Sequence, residues 1–367
     1  MTLRAVIVHE RFTEVGGSER VVEQLVRTFP GSRVFAPVAD PAGRPAGVDS
    51  VSVSTSRLQH LYPGNGRYAH LLPLLPFAMA RADLREADVV IASHHAFANR
   101  VRPPEDVPVV SYVHTPARWI WDPGTRTGEA GWLGAGALRA FAATQRAADR
   151  RAAARVHTVV ANSTSVAARI ARWWRRESVV VHPPVRTHWF TPDRRPERED
   201  FVLLAGRLVP YKRPEVAVLA ARESGVRLVV AGDGRSRATC ERMADPSTVF
   251  LGRIPDDQMR DLMRSCRALV FPGEEDFGIV PVEAMSCATP VIALAAGGAL
   301  DTVVDGATGV LVRPADGDRA SHVAAFAQAL AALDESAFDR SAVRAHAERF
   351  GEARFREHMR DIVASVR

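Results

Sequence analysis

The sequence predicts an α/β protein made of two Rossmann-like halves, each with a parallel sheet. Three observations predict it. A chain of 367 residues is too long for one ordinary core and suits two. Short β-branched runs alternate with alanine-rich helical stretches along most of its length, which is the mark of parallel strands joined by crossover helices. A segment rich in proline and charge, HPPVRTHWFTPDRRPERED (182–200), separates two sets of strands and reads as a linker.

In chain order, the first half offers the strands RAVIVHE (4–10), ADVVIAS (87–93), VPVVSYVH (107–114) and HTVVANS (157–163). The second offers DFVLLAG (200–206), VRLVVAGDG (226–234), TVFLGR (248–253), RALVFPG (267–273) and PVIAL (290–294), and helical periodicity runs from Ser321 to the end. The domain boundary is expected near residue 190, giving an N-terminal domain of residues 1–189 and a C-terminal domain of residues 190–348, followed by a terminal helix, 349–367.

Composition excludes several classes. Apolar residues make up 47% and charged residues 25%, a soluble globular profile. Three scattered cysteines, Cys240, Cys266 and Cys287, fit neither a disulfide framework nor a four-thiolate zinc site, and suit a reducing cytoplasm. Met1–Thr2–Leu3–Arg4 runs straight into a strand, so no signal peptide is expected. LLPLLPFAMA (71–80) is short and broken by Pro73 and Pro76, so no bilayer span is expected either. Residues 1–200 carry 27 Lys/Arg against 19 Asp/Glu, while residues 201–367 carry 21 against 23. A basic first half is compatible with an anionic membrane, nucleic acid or a phosphorylated substrate. The arginines are scattered among alanines with no nucleic-acid-binding signature, so nucleic acid is not expected as a partner.

The chemistry centres on loops that follow strands. Lys212 is the sole lysine among 48 Lys/Arg residues, which argues for a position where a compact ammonium is needed and a planar guanidinium will not serve. It lies in GRLVPYKR (206–213), after a strand and before a helix, so Arg207 and Lys212 sit where open α/β sheets bind ligands. Two cations there suit a diphosphate. In GEEDFGIVPVEAMSCATPVIAL (273–294) an acidic loop leads into a helix expected to begin near Val280 or Pro281. Gly278 lets the backbone approach a ligand, and the free helical amides suit phosphate. Glu275 in the loop and Glu283 in the expected first turn could clamp paired sugar hydroxyls, although a glutamate in a first turn is also ordinary helix chemistry.

Two further features lie in the first half. VGGSERVVEQL (15–25) places Gly16, Gly17 and a serine cap at a helix start, another anion site, though a Gly-Gly pair also makes any tight turn. It lacks the dinucleotide glycine spacing, as does AGDGRSRA (231–238), so a nicotinamide enzyme is not supported. His114 ends the strand of SYVHTPARWIWD (111–122) and could donate a hydrogen bond to a sugar hydroxyl or a developing charge. His94 and His95 are adjacent and diverge in a strand, and Asp316–Gly317–Asp318 reads as helix capping. No metal site is expected.

These residues resemble family 4 of the retaining glycosyltransferases. Gly16–Gly17, Gly206–Arg207 through Lys212, the pair Glu275 and Glu283, AGDG (231–234), FLGRIPDDQM (250–259) and GGALDTVVDGATGVLV (297–312) carry the resemblance over nearly the whole chain. It implies the GT-B architecture, two Rossmann-like domains facing across a cleft with a terminal helix crossing back to the first. It implies that Arg207 and Lys212 neutralise the donor's pyrophosphate and that Glu283 binds the ribose. Glu275 and the backbone of Phe277, Gly278, Ile279 and Val280 would hold the hexose and phosphate. Gly16 and Gly17 would close over the phosphates, and His114 would touch the hexose near the reacting carbon. Transfer is expected to retain anomeric configuration without a divalent metal or other cofactor, the nucleotide-sugar serving as co-substrate.

Asp276 and Ala288 stand where glycines are common. Asp276, LLPLLP (71–76), HTPARWIWD (114–122) and GGALDTV (297–303) are similar to an O-antigen mannosyltransferase-like subgroup, which implies GDP-mannose as donor and a role in cell-envelope polysaccharide synthesis. The acceptor is expected to be a glycan or a lipid-linked intermediate. For location, the expectation is cytoplasmic, with peripheral contact with an anionic inner membrane face as one reading of Arg139, Arg146 and Arg150 on one helical face. A solvated arginine-rich helix is the other. Trp173 and Trp174 either join that contact or pack against the sheet. A sugar-nucleotide epimerase of the same fold and a non-catalytic nucleotide- or carbohydrate-binding protein are the alternative functions.

Overall fold

The computed structural model describes residues 3–49, 51–64, 66, 68–122, 132–193 and 198–366, and these form two units, each around a wholly parallel sheet. The first sheet contains β1 (Ala5–His9), β2 (Arg33–Ala36), β3 (Val53–Thr55), β4 (Val89–His94), β5 (Val109–Val113), β6 (Thr158–Ala161) and β7 (Val179–Val180), in the order β3-β2-β1-β4-β5-β6-β7. The second contains β8 (Val202–Ala205), β9 (Leu228–Ala231), β10 (Val249–Gly252), β11 (Ala268–Phe271), β12 (Val291–Leu294) and β13 (Gly309–Val312), in the order β10-β9-β8-β11-β12-β13. In each, the unit's first strand lies between its second and its fourth, so the winding reverses there. Loops leaving the C-terminal ends of strands at such a reversal border a ligand crevice.

Both sheets are covered on both faces, which explains the near-continuous apolar runs of the sequence. Along β1, Val6 and Val8 enter one core cluster while Ala5 and Ile7 enter the other. Along β8, Leu203 and Ala205 face one cluster and Val202 and Leu204 the opposite one. The sequence-predicted set lacks β2, β3, β7 and β13. These are two to four residues long, and β3 and β7 are edge strands with exposed positions, so they carry little apolar pattern to detect.

The first unit comprises Met1–Pro184 and Glu352–Arg367, the second Val185–Gly351. The chain passes into the second unit ahead of the proline-based boundary at residue 190. Val185 donates its N–H to Phe350 O at 3.0 Å, bridges to Gly351, and is followed by a fully buried Phe190, so the start of the apparent linker is folded into the second unit. The terminal helix Glu352–Ser365 belongs to the first unit. Phe355, Met359 and Val363 recur at helical spacing and are buried in its core, the Phe355 ring lying edge-on to Tyr112 at 5.5 Å. Gln24 of the helix Gly17–Thr28 bonds both Glu352 and Arg356, fixing the helix polar side as well. All three cysteines are free and buried, with burial pushing Cys266 and Cys287 up to about 12. Among the described residues no helix is long and apolar enough to cross a membrane.

Candidate functional site

The reversal in the second sheet lies at β8 and β11, and the loops leaving these two strands carry most of the charged candidates. After β8 the chain passes through Gly206 and an exposed Arg207, makes one 3-10 turn at Pro210–Lys212, and enters the helix Pro214–Ser224. After β11 it passes Pro272 and Gly273 to Glu275. Lys212 Nζ stands 2.7 Å from Glu275 Oε1, with 17% and 19% of the two side chains exposed. The contact is an ion pair, not an aligned hydrogen bond, since Oε1 has no hydrogen-bond partner. Gly273 brings the loops together: a Cβ there would lie 2.6 Å from Lys212 Cα, so any side chain would push Lys212 away. Lys212, Glu275 and the stretches Gly206–Leu208 and Phe271–Gly273 border one recess.

Beyond Glu275, Gly278 adopts φ +88°, a left-handed conformation that suits glycine, and caps the helix Ile279–Ser286. The helix starts earlier than the sequence suggests, placing Pro281 third instead of first. Glu283 therefore falls in the second turn, too far along for simple first-turn charge to account for it. The Phe277 side chain is buried against Phe350 with ring centroids 5.7 Å apart and does not face a ligand. Ile279, Val280 and Glu283 are half-buried. Gly297 and Gly298 buttress this loop in a way the spacing of charged residues could not reveal. Gly298 donates its N–H to Glu275 O at 2.9 Å, and a Cβ on it would meet Phe277 Cα at 2.2 Å. Ala288 takes φ +61°, so an alanine occupies a left-handed position at the end of the helix where glycine is unstrained.

In the first unit the reversal lies at β1 and β4, and β5 is next in order. Gly16, not a serine, caps the helix Gly17–Thr28, and Ser18 is inside it. The anion-binding end is partly filled by the chain itself. Glu19 Oε2 accepts the Gly16 N–H at 3.0 Å and the Ser18 hydroxyl at 2.9 Å. Burial alone would raise the Glu19 pKa, but hydrogen bonding and charge from His9, with the Ser18 hydroxyl, outweigh it and hold the carboxyl at about 2. A phosphate approaching Gly16 and Gly17 would therefore meet a carboxylate behind them.

His114 follows β5, is 9% exposed, and has its imidazole stacked on His95 at 4.4 Å. Burial, then the neighbouring His9, lowers it to about 3, so it is neutral over the whole physiological range. His94 and His95 diverge as expected: the His94 ring meets Trp174, 5.2 Å away. A buried carboxylate that the sequence reading missed, Glu10, fixes this turn. Its Oε1 accepts the N–H groups of His95, Ala96, Phe97 and Ala98 at 2.7–3.1 Å.

The remaining candidates are structural. Asp318 accepts the Ser321 N–H at 2.7 Å and caps the helix Arg319–Ala331. The Arg139 side chain lies outside the described residues. Arg146 bonds the Ile120 carbonyl, and Arg150 bonds the Trp173 carbonyl while stacking over Trp121. Trp173 stacks on Trp121, and Trp174 is buried with its indole N–H on Asp149, 2.7 Å away. These two arginines and both tryptophans thus have partners within the unit.

Residues 15–189 match the family model described as Glycosyltransferase Family 4, and residues 185–336 match that described as Glycosyl transferases group 1. A D-inositol 3-phosphate glycosyltransferase of Mycolicibacterium paratuberculosis is 36% identical over 175 residues, 42% of this chain and 38% of that protein. Its Mycobacterium tuberculosis counterpart is 37% identical over 154 residues, 36% of this chain and 32% of that one. These matches thus span less than half the length of the curated relatives. Among solved structures, sucrose-phosphate synthase from Thermosynechococcus elongatus superposes with a TM-score of 0.73 at 18% identity, covering 99% of both chains. Anabaena HepE in complex with UDP and glucose superposes with a TM-score of 0.70 at 18% identity, covering 98% of this chain and 99% of the other. At that identity the likeness shows the fold, a GT-B α/β fold.

Proposed function

We propose, from the premise that the two matched segments make this a glycosyltransferase family 4-like chain, that it transfers a hexose from a nucleotide-sugar donor to a hydroxyl acceptor. The observation that carries the reading is the pairing of Lys212 with Glu275 at the β8/β11 reversal. An ammonium and a carboxylate side by side meet the two halves of such a donor. Lys212, with Arg207, balances the charge that grows on the departing diphosphate, and Glu275 accepts hydrogen bonds from hexose hydroxyls. Gly278 and the amides of Ile279 and Val280 receive phosphate, and Glu283 holds the ribose. In the same reading Gly16 and Gly17 close on the phosphates and His114 meets the hexose.

Retention of anomeric configuration follows if the departing phosphate assists attack from its own face, which requires neither an enzymic nucleophile nor a metal. GDP-mannose remains the donor suggested by Asp276 and the LLPLLP, HTPARWIWD and GGALDTV segments. UDP-glucose is the competing donor, because HepE was solved with UDP and glucose and with UDP-glucose. The acceptor is a glycan or a lipid-linked sugar. The internal partners of Arg146, Arg150, Trp173 and Trp174 favour the solvated-helix reading of that region over membrane contact.

Incubation with each labelled donor, with and without saccharide and lipid-linked acceptors, separates the readings. Acceptor-dependent label transfer with release of a nucleoside diphosphate is expected, and the product's anomeric coupling constant reports retention. Conversion of the donor sugar without any acceptor would instead identify an epimerase.

A further inference from the structure

Part of the positive charge of the first half gathers away from the loops described above, around a cavity inside the first unit. The cavity has a volume of about 350 Å³ and lies against the 3-10 turn Ala98–Arg100, the segment leading into β5 and the residues just before β6. Its lining includes Val109, the first residue of β5, and His157, which directly precedes β6. It therefore opens toward the end of the sheet where these strands begin. The Gly16 turn and His114 follow the opposite ends of β1 and β5.

Two kinds of surface meet in this cavity. Val101, Val107, Val109 and Val156 are all buried and form an apolar wall. Arg102 and Arg155 are exposed at its mouth, and among the described residues neither guanidinium has a hydrogen-bond or ion-pair partner. One carboxylate of the lining, Glu105, stands against these two cations and pairs with neither. His157 adds a third donor. Its Nδ1 accepts the Val109 N–H at 3.0 Å, and a backbone N–H can only donate, so the ring carries its proton on Nε2. No described residue accepts that proton. At the inner wall, Asn99 is 3% exposed; its Oδ1 accepts the Ser111 hydroxyl at 2.7 Å, while its Nδ2 is buried without a hydrogen-bond partner. A donor buried in this way is costly, and a ligand oxygen at that wall would relieve it.

Glu105 apart, the unpaired side-chain groups of the lining are thus donors, and the wall between them is apolar. We propose that this cavity is a separate binding site for a small amphiphilic anion, its acidic group held by Arg102, Arg155 and His157 and its apolar body laid along the valines. At roughly 30 Å³ for each water-sized group, the volume holds about a dozen non-hydrogen atoms. An inorganic anion gains nothing from the valines, and an uncharged alcohol gains nothing from the arginines, so a molecule with both parts is selected over either. Nothing in the site depends on a nucleotide-sugar, so it stands apart from the transfer reaction proposed above.

Calorimetric titration of the full chain with octyl phosphate, octanol and inorganic phosphate tests this. Octyl phosphate is expected to bind about tenfold or more tightly than either of the others. The double variant Arg102→Ala/Arg155→Ala removes exposed, unpaired side chains, so it is expected to keep the native Tm and to lose octyl phosphate affinity by about tenfold or more. In native protein labelled with ¹⁵N at histidine, the His157 ring signals, assigned through their loss in His157→Gln, are expected to shift as octyl phosphate is added. Octyl phosphate binding that the double variant retains, or that leaves the His157 signals unmoved, would lie elsewhere and overturns the proposal. Equal binding of all three probes, or no binding of octyl phosphate, overturns it as well.

Discussion

Removing the Lys212 ammonium tests the chemistry at its most exposed point. In Lys212→Ala the leaving diphosphate gains about one unit of charge with no ammonium beside it. Two unit charges about 4 Å apart interact by roughly 1 kcal/mol in water and about 4 kcal/mol at an effective dielectric near 20. With 17% of the Lys212 side chain and 19% of the Glu275 side chain exposed, the site lies nearer the second limit. The expected loss of transition-state stabilisation is therefore about 3 kcal/mol, or roughly 10²-fold in turnover and more if water is further excluded. Glu275 would be left without its cation in a mostly buried site. Discounted for its partial exposure, that costs on the order of 1 kcal/mol, a fall in Tm of about 2–4 °C for a unit of this size. The assay is initial-rate donor turnover alongside thermal unfolding. Lys212→Arg should recover part of the activity, keeping the charge but not the ammonium's compact shape. A folded Lys212→Ala variant with turnover within about threefold of the native protein would show that the ammonium does not stabilise the leaving diphosphate.

Other outcomes follow from the same geometry. Glu283→Ala should weaken nucleoside diphosphate binding by about 1.5–3 kcal/mol, measured by calorimetry, and unchanged affinity would remove Glu283 from the ribose site. Gly273→Ala places a Cβ 2.6 Å from Lys212 Cα, so the loop must shift; turnover should fall and stability drop by about 1–3 kcal/mol, and native kinetics would contradict the contact. Glu19, held at about 2 in the fold against an ordinary 4.5, contributes stability that is complete above pH 4.5 and lost as pH falls towards 2. Denaturant titrations of Glu19→Gln should therefore show a flatter acid limb across that window, and a limb as steep as the native protein's would count against the His9–Glu19 contact.

What the sequence disclosed depended on how local the signal was. Lys212 and Glu275 were legible because each sits on a loop directly after an apolar strand, and the parallel topology brings those two loops together. The edge strands β3 and β7 were not, since half-exposed runs of two or three residues have no periodicity. Glu283 was misplaced by one turn because Gly278 starts its helix from a left-handed cap that nothing in the neighbouring residue types announces. The Gly16 turn was read as open to an anion, whereas Glu19, three residues on, folds back onto its N–H. A hydrogen-bonded run from Glu19 through His9 and Ser93 to His114 joins residues up to 84 positions apart. Its one sequence trace is that His9, Ser93 and His114 all lie at strand ends, which becomes informative only once β1, β4 and β5 are known to be neighbours.

Whether this chain holds a nucleotide-sugar through the loops of its second unit is decided by calorimetric titration of the native protein and Lys212→Ala. GDP, GDP-mannose, UDP and UDP-glucose would each be titrated with and without EDTA. The native protein is expected to bind one nucleotide family, unaffected by EDTA, and the variant to bind it more weakly. Binding that Lys212→Ala leaves intact, or no binding of any of the four, would contradict a nucleotide site in these loops.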